Sequence, residues 1–445
     1  MDFDYEDDYL PDEEYFPDDN TGELSLTDLC TFCVVPTLRD GLHAAAVLLP
    51  ACLFLRAVVC ARLLPSATGN TWAHLLSALL GLCSLYGLVG SLAAYVAGLA
   101  LLGAGLLMAL DRHRGLACAV LVASFVIACE LWLVEPTSWH QVRGCQLVLC
   151  MKLVSLAVDL DKSRLLPPGV VATLGYLLHV GSAPLGPWIG FDSYARRTLG
   201  FVPWVRALAR SMGLAYVCLT VSTCWSSWLL WLAAYRDALS FRFSHYFVTF
   251  LSEATAVAAG ISHDGSWALQ LCSPLEVELP RSLVQVVVHW NRSMHTWLKH
   301  YVFQGTRQHL GNLGALLLTY AASALLHGLN FQLAAVLLSL ALYSYSEHVL
   351  RQKLSQAYDA CLGARPCHPG CEKHKLRADH WGVRAANLGL GLLAAFHLAY
   401  LGLMFDSEPL QEQGYSMQHT LAKWSELQFA SHWVALATFV IQLLI

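Results

Sequence analysis

The chain has 445 residues, of which 56% are hydrophobic and only 13% charged, about half the charge of a typical soluble domain. With a mean hydropathy of +0.50, this excludes a soluble enzyme, a secreted disulfide scaffold and a protein that reads nucleic acid, and points to an all-α polytopic membrane protein. The formal charge of −5 is unevenly placed. Residues 1–28 hold twelve acids, Asp2 to Asp28, and no Lys or Arg, which leaves 27 basic and 20 acidic residues for the rest.

The opening stretch lacks the basic end and apolar run of a cleavable signal, so the first span is expected to act as its own insertion signal. Residues 1–40 read as an acidic tail too poor in apolar side chains to order itself, and 41–445 as one membrane domain. A spanning helix needs about 20 mostly apolar residues. That length is met near 42–64, 71–91, 93–110, 114–134, 141–158, 211–234, 243–262, 312–328, 331–350, 382–404 and 426–445, which predicts about eleven spans. A further apolar stretch, 168–190, is interrupted by Pro168, Pro184, Gly186 and Pro187. Irregular backbone survives at membrane depth only inside protein, so this stretch is predicted to be re-entrant.

Lys and Arg mark cytosolic loops. The turn Asp111–Arg114, the stretch 194–210 with Arg196, Arg197, Arg206 and Arg210, and the segment 351–384, with seven basic residues against three acids, are all placed in the cytosol. The loop 405–425 has three acids against Lys423 and is placed outside. The N-terminal tail is then lumenal and the C-terminus cytosolic.

Unpaired charges inside a bilayer are costly, which singles out Glu130, Arg143, Lys152, Glu253 and Glu347. Arg143 and Lys152 flank their span and are expected to snorkel. Glu347 has Arg351 one turn on, and Glu253 is expected to bury its carboxyl in a hydrogen bond between helices. Most cysteines, Cys52, Cys218 and Cys224 among them, lie in apolar spans, where the thiol behaves as a small hydrophobe. Cys30 and Cys33 form a C-x-x-C pair with no second half. Cys361, Cys367, His368, Cys371 and His374 have the ligand types for zinc, although their spacing follows no standard pattern; palmitoylation and plain thiols are the other readings, and no metal is assigned.

His327, among the small residues Ala321, Ala322, Ser323, Ala324 and Gly328, is suited to exchange protons near neutral pH. Periodicity alone favours a hydrogen-bonded structural histidine there, and His397 meets the same criterion, so position alone does not choose between them. Trp290, Met294, Trp297 and Tyr301 recur at helical spacing with Arg292, Lys299 and Arg307 between and beyond them. They predict an amphipathic helix at the membrane interface.

Trp290-Asn291, Trp297-Leu298 and Tyr301-Val302, followed by an intramembrane His327, together resemble the signature of the membrane-bound O-acyltransferase (MBOAT) family. His140-Gln-Val-Arg-Gly, Gly186-Pro-Trp-Ile, Phe243-Ser-His-Tyr-Phe, Val277-Glu-Leu-Pro-Arg-Ser, Glu347-His-Val-Leu-Arg and Lys423-Trp-Ser-Glu-Leu resemble those of its members that lipidate Wnt proteins. The resemblance implies about eleven transmembrane helices plus a re-entrant segment, with a catalytic core near 243–350. It also implies transfer of a palmitoleoyl group from acyl-CoA to a Wnt serine in the endoplasmic reticulum membrane, with no further cofactor and no nucleic-acid partner. By the same resemblance His327 is the catalytic histidine and Asn291 its partner. Trp290, Arg292, Trp297, Tyr301, Tyr320, Ser323 and Arg281 are expected at the substrates, the arginines drawing the coenzyme A phosphates from the cytosolic side. An acyltransferase for a small lipid, or a non-catalytic chaperone or transporter of this fold, are the alternatives.

Overall fold

The structure is a computed structural model and describes residues 26–63, 71–165, 167–195, 200–224, 233–262, 269–368, 370–405 and 417–445. Most of the expected acidic tail, Arg196 and Arg197, and the loop acids Asp406, Glu408 and Glu412 lie outside the described residues.

Helix α1 (Leu26–Leu29) runs through a π-helical turn into α2 (Val35–Cys60), so helix is present before residue 41. Next come α3 (Thr71–Val89), α4 (Ala93–Ala109), α5 (Arg114–Ala128) and α6 (Pro136–Asp161). Two short helices, α7 (Val170–Leu177) and α8 (Phe191–Ala195), precede α9 (Phe201–Thr223) and α10 (Ala233–Ala258), which pack on each other. Three more short helices follow: α11 (Pro274–Glu278), α12 (Leu283–Trp290) and α13 (Arg292–Trp297). The chain ends with α14 (Gln304–Leu326), α15 (Phe331–Ala357), α16 (Trp381–Gly402) and the pair α17 (Met417–Glu426) and α18 (Ala430–Leu444), bent by 75°. Among the described residues six continuous helical stretches are long and apolar enough to cross a membrane, or seven if the bent pair counts as one. No strand occurs among them, only an isolated bridge between Ala360 and Leu376.

The largest core cluster joins α3 to α7 through Leu85, Val96, Leu99, Val122, Leu149, Leu153 and Tyr176. Large apolar side chains on the outer faces, such as Leu101, Leu102, Leu388 and Leu392, stay exposed, as expected of helices whose solvent is lipid.

Three local expectations change. Lys152 does not snorkel. Because α6 extends from Pro136 to Asp161, the residue is interior and fully buried. Its ammonium donates to the carbonyls of Tyr176 (3.1 Å) and Leu177 (3.4 Å) and to Ser182 Oγ (2.8 Å). The last carbonyls of a helix lack intrahelical N–H donors, and a cation there satisfies them and complements the helix dipole. Lys152 thus holds the end of α7, where the predicted broken segment turns irregular and buried at Leu178, Val180 and Ala183. This segment lies so close to α3 that a Cβ on Gly81 would stand 1.7 Å from the Leu178 carbonyl oxygen.

The second change is the start of α9, which takes in Arg206 and Arg210. Arg210 pairs with the buried Glu253 of α10 at 2.8 Å, and Ser211 Oγ donates to the same carboxylate at 2.9 Å. Glu253 therefore ties two helices, as expected, and its partner is an arginine that charge counting had assigned to a loop. The third change is the aromatic stripe. It is not one helix, because Asn291 leaves helical geometry (φ −146°, ψ 90°) between α12 and α13.

Candidate active site

His327 ends α14 with its N–H on the carbonyls of Ser323 (3.3 Å) and Ala324 (3.1 Å). Gly328 then turns the chain at φ +96°, a conformation that suits glycine. The next N–H, of Leu329, donates to both oxygens of Glu130 at 2.8 and 2.7 Å. A Cβ on Gly328 would come within 3.0 Å of that carboxylate. Glu130 lies on the π-helical turn Cys129–Leu133 that closes α5. The carboxylate therefore anchors the turn that carries the histidine.

Arg143 of α6 and His245 of α10 lie within electrostatic reach of His327. Arg143 is half-buried and within electrostatic reach of Glu130 as well. The His245 ring stacks on the Trp290 indole, 4.7 Å between centroids and 13° from parallel. Its Nε2 is buried with no hydrogen-bond partner among the described residues. Buried polar atoms are normally paired, and this one belongs to a ring within electrostatic reach of His327. Trp290 is backed by Tyr246 at 5.6 Å, whose hydroxyl donates to Glu278 at 2.8 Å. Arg242 grips the same carboxylate through two bonds of 2.8 and 2.7 Å.

Asn291 follows Trp290. Its Oδ1 accepts the Met294 N–H at 3.0 Å and caps α13. That bond fixes the amide and leaves Nδ2 as a donor with no partner among the described residues. His245 is thus within electrostatic reach of His327 and stacked on Trp290, the residue before Asn291.

The remaining candidates divide. Ser323 is buried one turn before His327, and Tyr320 precedes it on the same face of α14. Trp297 Nε1 donates to the Met151 carbonyl (2.8 Å) and the Tyr301 hydroxyl to Asp159 (2.8 Å), so both fasten α13 and the turn after it to α6. Arg292 directs its donors to Gln270, Ser273 and His289. Arg281 directs its own to the carbonyls of Gly363 and Cys361. His397, the rival of His327, is a core residue: it is 4% exposed, shares a 2.6 Å hydrogen bond with Ser431 and packs on Tyr343.

Two cysteine readings also change. Cys33 and Cys224 form a disulfide, so Cys224 is not a plain hydrophobe; the partners are distant in sequence and no local spacing announces them. Cys361, Cys367, Cys371 and His374 converge, with ligand atoms all within 4.8 Å of one another, while His368 is exposed and apart. The Cys371 thiol is pushed down to about 7, first by its hydrogen bond with His374. A small cavity of about 70 Å³ bounded by Arg56, His179, Tyr194 and Gly260 includes none of the candidate residues.

Sequence reasoning gave no role to His245 and noticed Glu130 only as a charge. The signal for His245 was present, a lone histidine in the apolar run Phe243-Ser-His-Tyr-Phe, but its stacking partner comes from another helix.

The model of the MBOAT, membrane-bound O-acyltransferase family, matches residues 111–352, a stretch that includes Glu130, Arg143, His245, Asn291 and His327. The chain belongs to this family. Within it, the chain is 41% identical to the human protein-serine O-palmitoleoyltransferase porcupine, with 93% of this chain and 96% of that protein aligned. The Drosophila melanogaster porcupine is 35% identical over 69% of this chain and 65% of its own length. A more distant likeness, 25% over 50% of this chain and 61% of the relative, is to lysophospholipid acyltransferase 1 of Arabidopsis thaliana.

Proposed function

We propose that this protein is a protein-serine O-acyltransferase of the endoplasmic reticulum membrane that transfers a palmitoleoyl group from acyl-CoA to a serine of Wnt proteins. The observation that carries the reading is the 41% identity to human porcupine over nearly the whole of both chains. In the proposed step the serine Oγ attacks the thioester carbonyl carbon while His327 accepts its proton. Asn291 Nδ2 and His245 Nε2 are the donors at hand for the developing oxyanion, and one such bond lowers a barrier by about 3 kcal/mol. The C–S bond then breaks, and the coenzyme A thiolate leaves with the proton from His327. The proposed transfer is direct, from thioester to serine with no acyl-enzyme. Residues 243–350 form the catalytic core of the membrane domain.

Sidedness belongs to the same proposal. Helices α2, α3, α4, α5, α6, α9, α10, α14, α15 and α16 and the bent pair α17–α18 make eleven crossings, with the segment around α7 re-entrant. From a lumenal start, α14 runs toward the lumen and presents His327 there, while 358–380 lies in the cytosol. Two contacts support this threading. Glu130 joins the ends of α5 and α14 that the count places together, and the Cys33–Cys224 disulfide joins two ends assigned to the lumen, the compartment where disulfides persist.

The test offers alkyne-labelled palmitoleoyl-CoA to the purified protein with either a Wnt-derived serine peptide or a lysophospholipid. Label on the peptide is expected. Label confined to the lysolipid would instead assign the protein to the chemistry named for the Arabidopsis relative.

A further inference from the structure

We infer that Cys361, Cys367, Cys371 and His374 bind one zinc ion that knots the segment between α15 and α16. The distances carry this first. His374 Nδ1 stands 3.6 Å from Cys361 Sγ, 3.7 Å from Cys367 Sγ and 3.5 Å from Cys371 Sγ. A tetrahedral ion with Zn–S near 2.3 Å and Zn–N near 2.05 Å separates its sulfur and nitrogen ligands by about 3.6 Å. Three thiolates and an imidazole are also the donor set that zinc favours over the harder divalent ions.

The surroundings fit a ligand role for Nδ1. The other ring nitrogen of His374 lies 3.3 Å from Ser355 Oγ, and that hydroxyl donates to the Ala360 carbonyl at 2.6 Å. With its hydrogen directed to Ala360, Ser355 accepts from Nε2–H, which leaves the Nδ1 lone pair for the metal. Such an outer partner is what orients a metal-binding histidine. The backbone is closed around the site as well: Cys361 N–H donates to the Leu376 carbonyl at 2.9 Å and Leu376 N–H to the Asp359 carbonyl at 3.0 Å.

The knot has something to hold. The carbonyls of Cys361 and Gly363 receive Arg281, that of Leu362 receives Arg351, that of Ala364 receives Ser282, and Asn387 also donates to Cys361. One short stretch thus fastens the residues before α12 to α15 and α16. Zinc here is structural: all four positions are filled by protein, and its binding energy is folding energy for this segment.

The experiment measures metal in the full chain, purified in detergent without chelator or added metal, by inductively coupled plasma mass spectrometry. About one zinc per chain is expected for a closed four-ligand site. Cys367→Ser and His374→Ala are expected to fall to background, while Cys60→Ser keeps the parent's content. A parent free of zinc, or variants that keep it, overturns the proposal. Should the variants fail to fold, maleimide labelling of the parent decides. Cys361, Cys367 and Cys371 are expected to be protected until 1,10-phenanthroline is added, and free labelling before chelation, or a palmitate found on any of them, overturns the site.

Discussion

Glu130→Ala removes the carboxylate that receives the Leu329 N–H at 2.8 and 2.7 Å and so frees the turn that carries His327. A hydrogen bond to a charged group contributes about 1.5–3 kcal/mol. Leu329 is exposed and water competes for its N–H, which places the value near the lower end, about 1.5 kcal/mol. At about 1.4 kcal/mol per factor of ten, kcat is expected to fall roughly tenfold. Glu130→Gln keeps an oxygen acceptor without the charge, about half as strong, and is expected to lose roughly threefold. The assay follows initial rates of label transfer to the serine peptide while acyl-CoA is varied. The KM for acyl-CoA should hold, and the melting temperature, read alongside, should stay near the parent's. A Glu130→Ala protein that turns over at the parent rate would refute the anchoring role.

Gly328→Ala places a side chain at φ +96° and 3.0 Å from the Glu130 carboxylate; its kcat should fall as in Glu130→Ala, and the double variant should lose less than the product of the two singles, read from the same rates. Lys152→Ala leaves the Leu177 carbonyl buried without a donor and the Tyr176 carbonyl with backbone donors alone, a cost of about 1–3 kcal/mol for an unsatisfied group, and should lower the melting temperature measured with a thiol-reactive dye. Cys33 and Cys224 should resist alkylation until the protein is reduced, as read by peptide mass spectrometry, and Cys33→Ser should destabilise by about 2–5 kcal/mol. Ready alkylation of Cys33 without reductant would remove that support for a lumenal N-terminus.

The helices were legible because span length and apolar content are local properties. Their ends were less so. The start of α9 was hidden because Arg210, which looks like a loop charge, is neutralised by Glu253 from the next helix. Lys152 looked like an end residue for a similar reason: its partners, the carbonyls ending α7, are backbone groups that no side-chain pattern records. The break at Asn291 was invisible to periodicity, since Trp290 and Met294 keep helical spacing across it. In the site, His327 and His397 were equivalent by composition. What separates them is tertiary: a turn held by Glu130 in one case, a hydrogen bond to Ser431 in the other. The cysteine cluster lay between these extremes, with ligand types readable and their convergence set by the closure of the segment at Ala360 and Leu376.

The central claim is that His327 is the base that activates the acceptor serine. Its most direct test compares the parent with His327→Ala, both purified in detergent with matched melting temperatures, by transfer of alkyne-labelled palmitoleoyl from its CoA thioester to a Wnt-derived serine peptide. General-base catalysis contributes about 10²–10⁴-fold, so the variant is expected to be slower by at least about a hundredfold. A His327→Ala protein that labels the peptide as fast as the parent would contradict the claim.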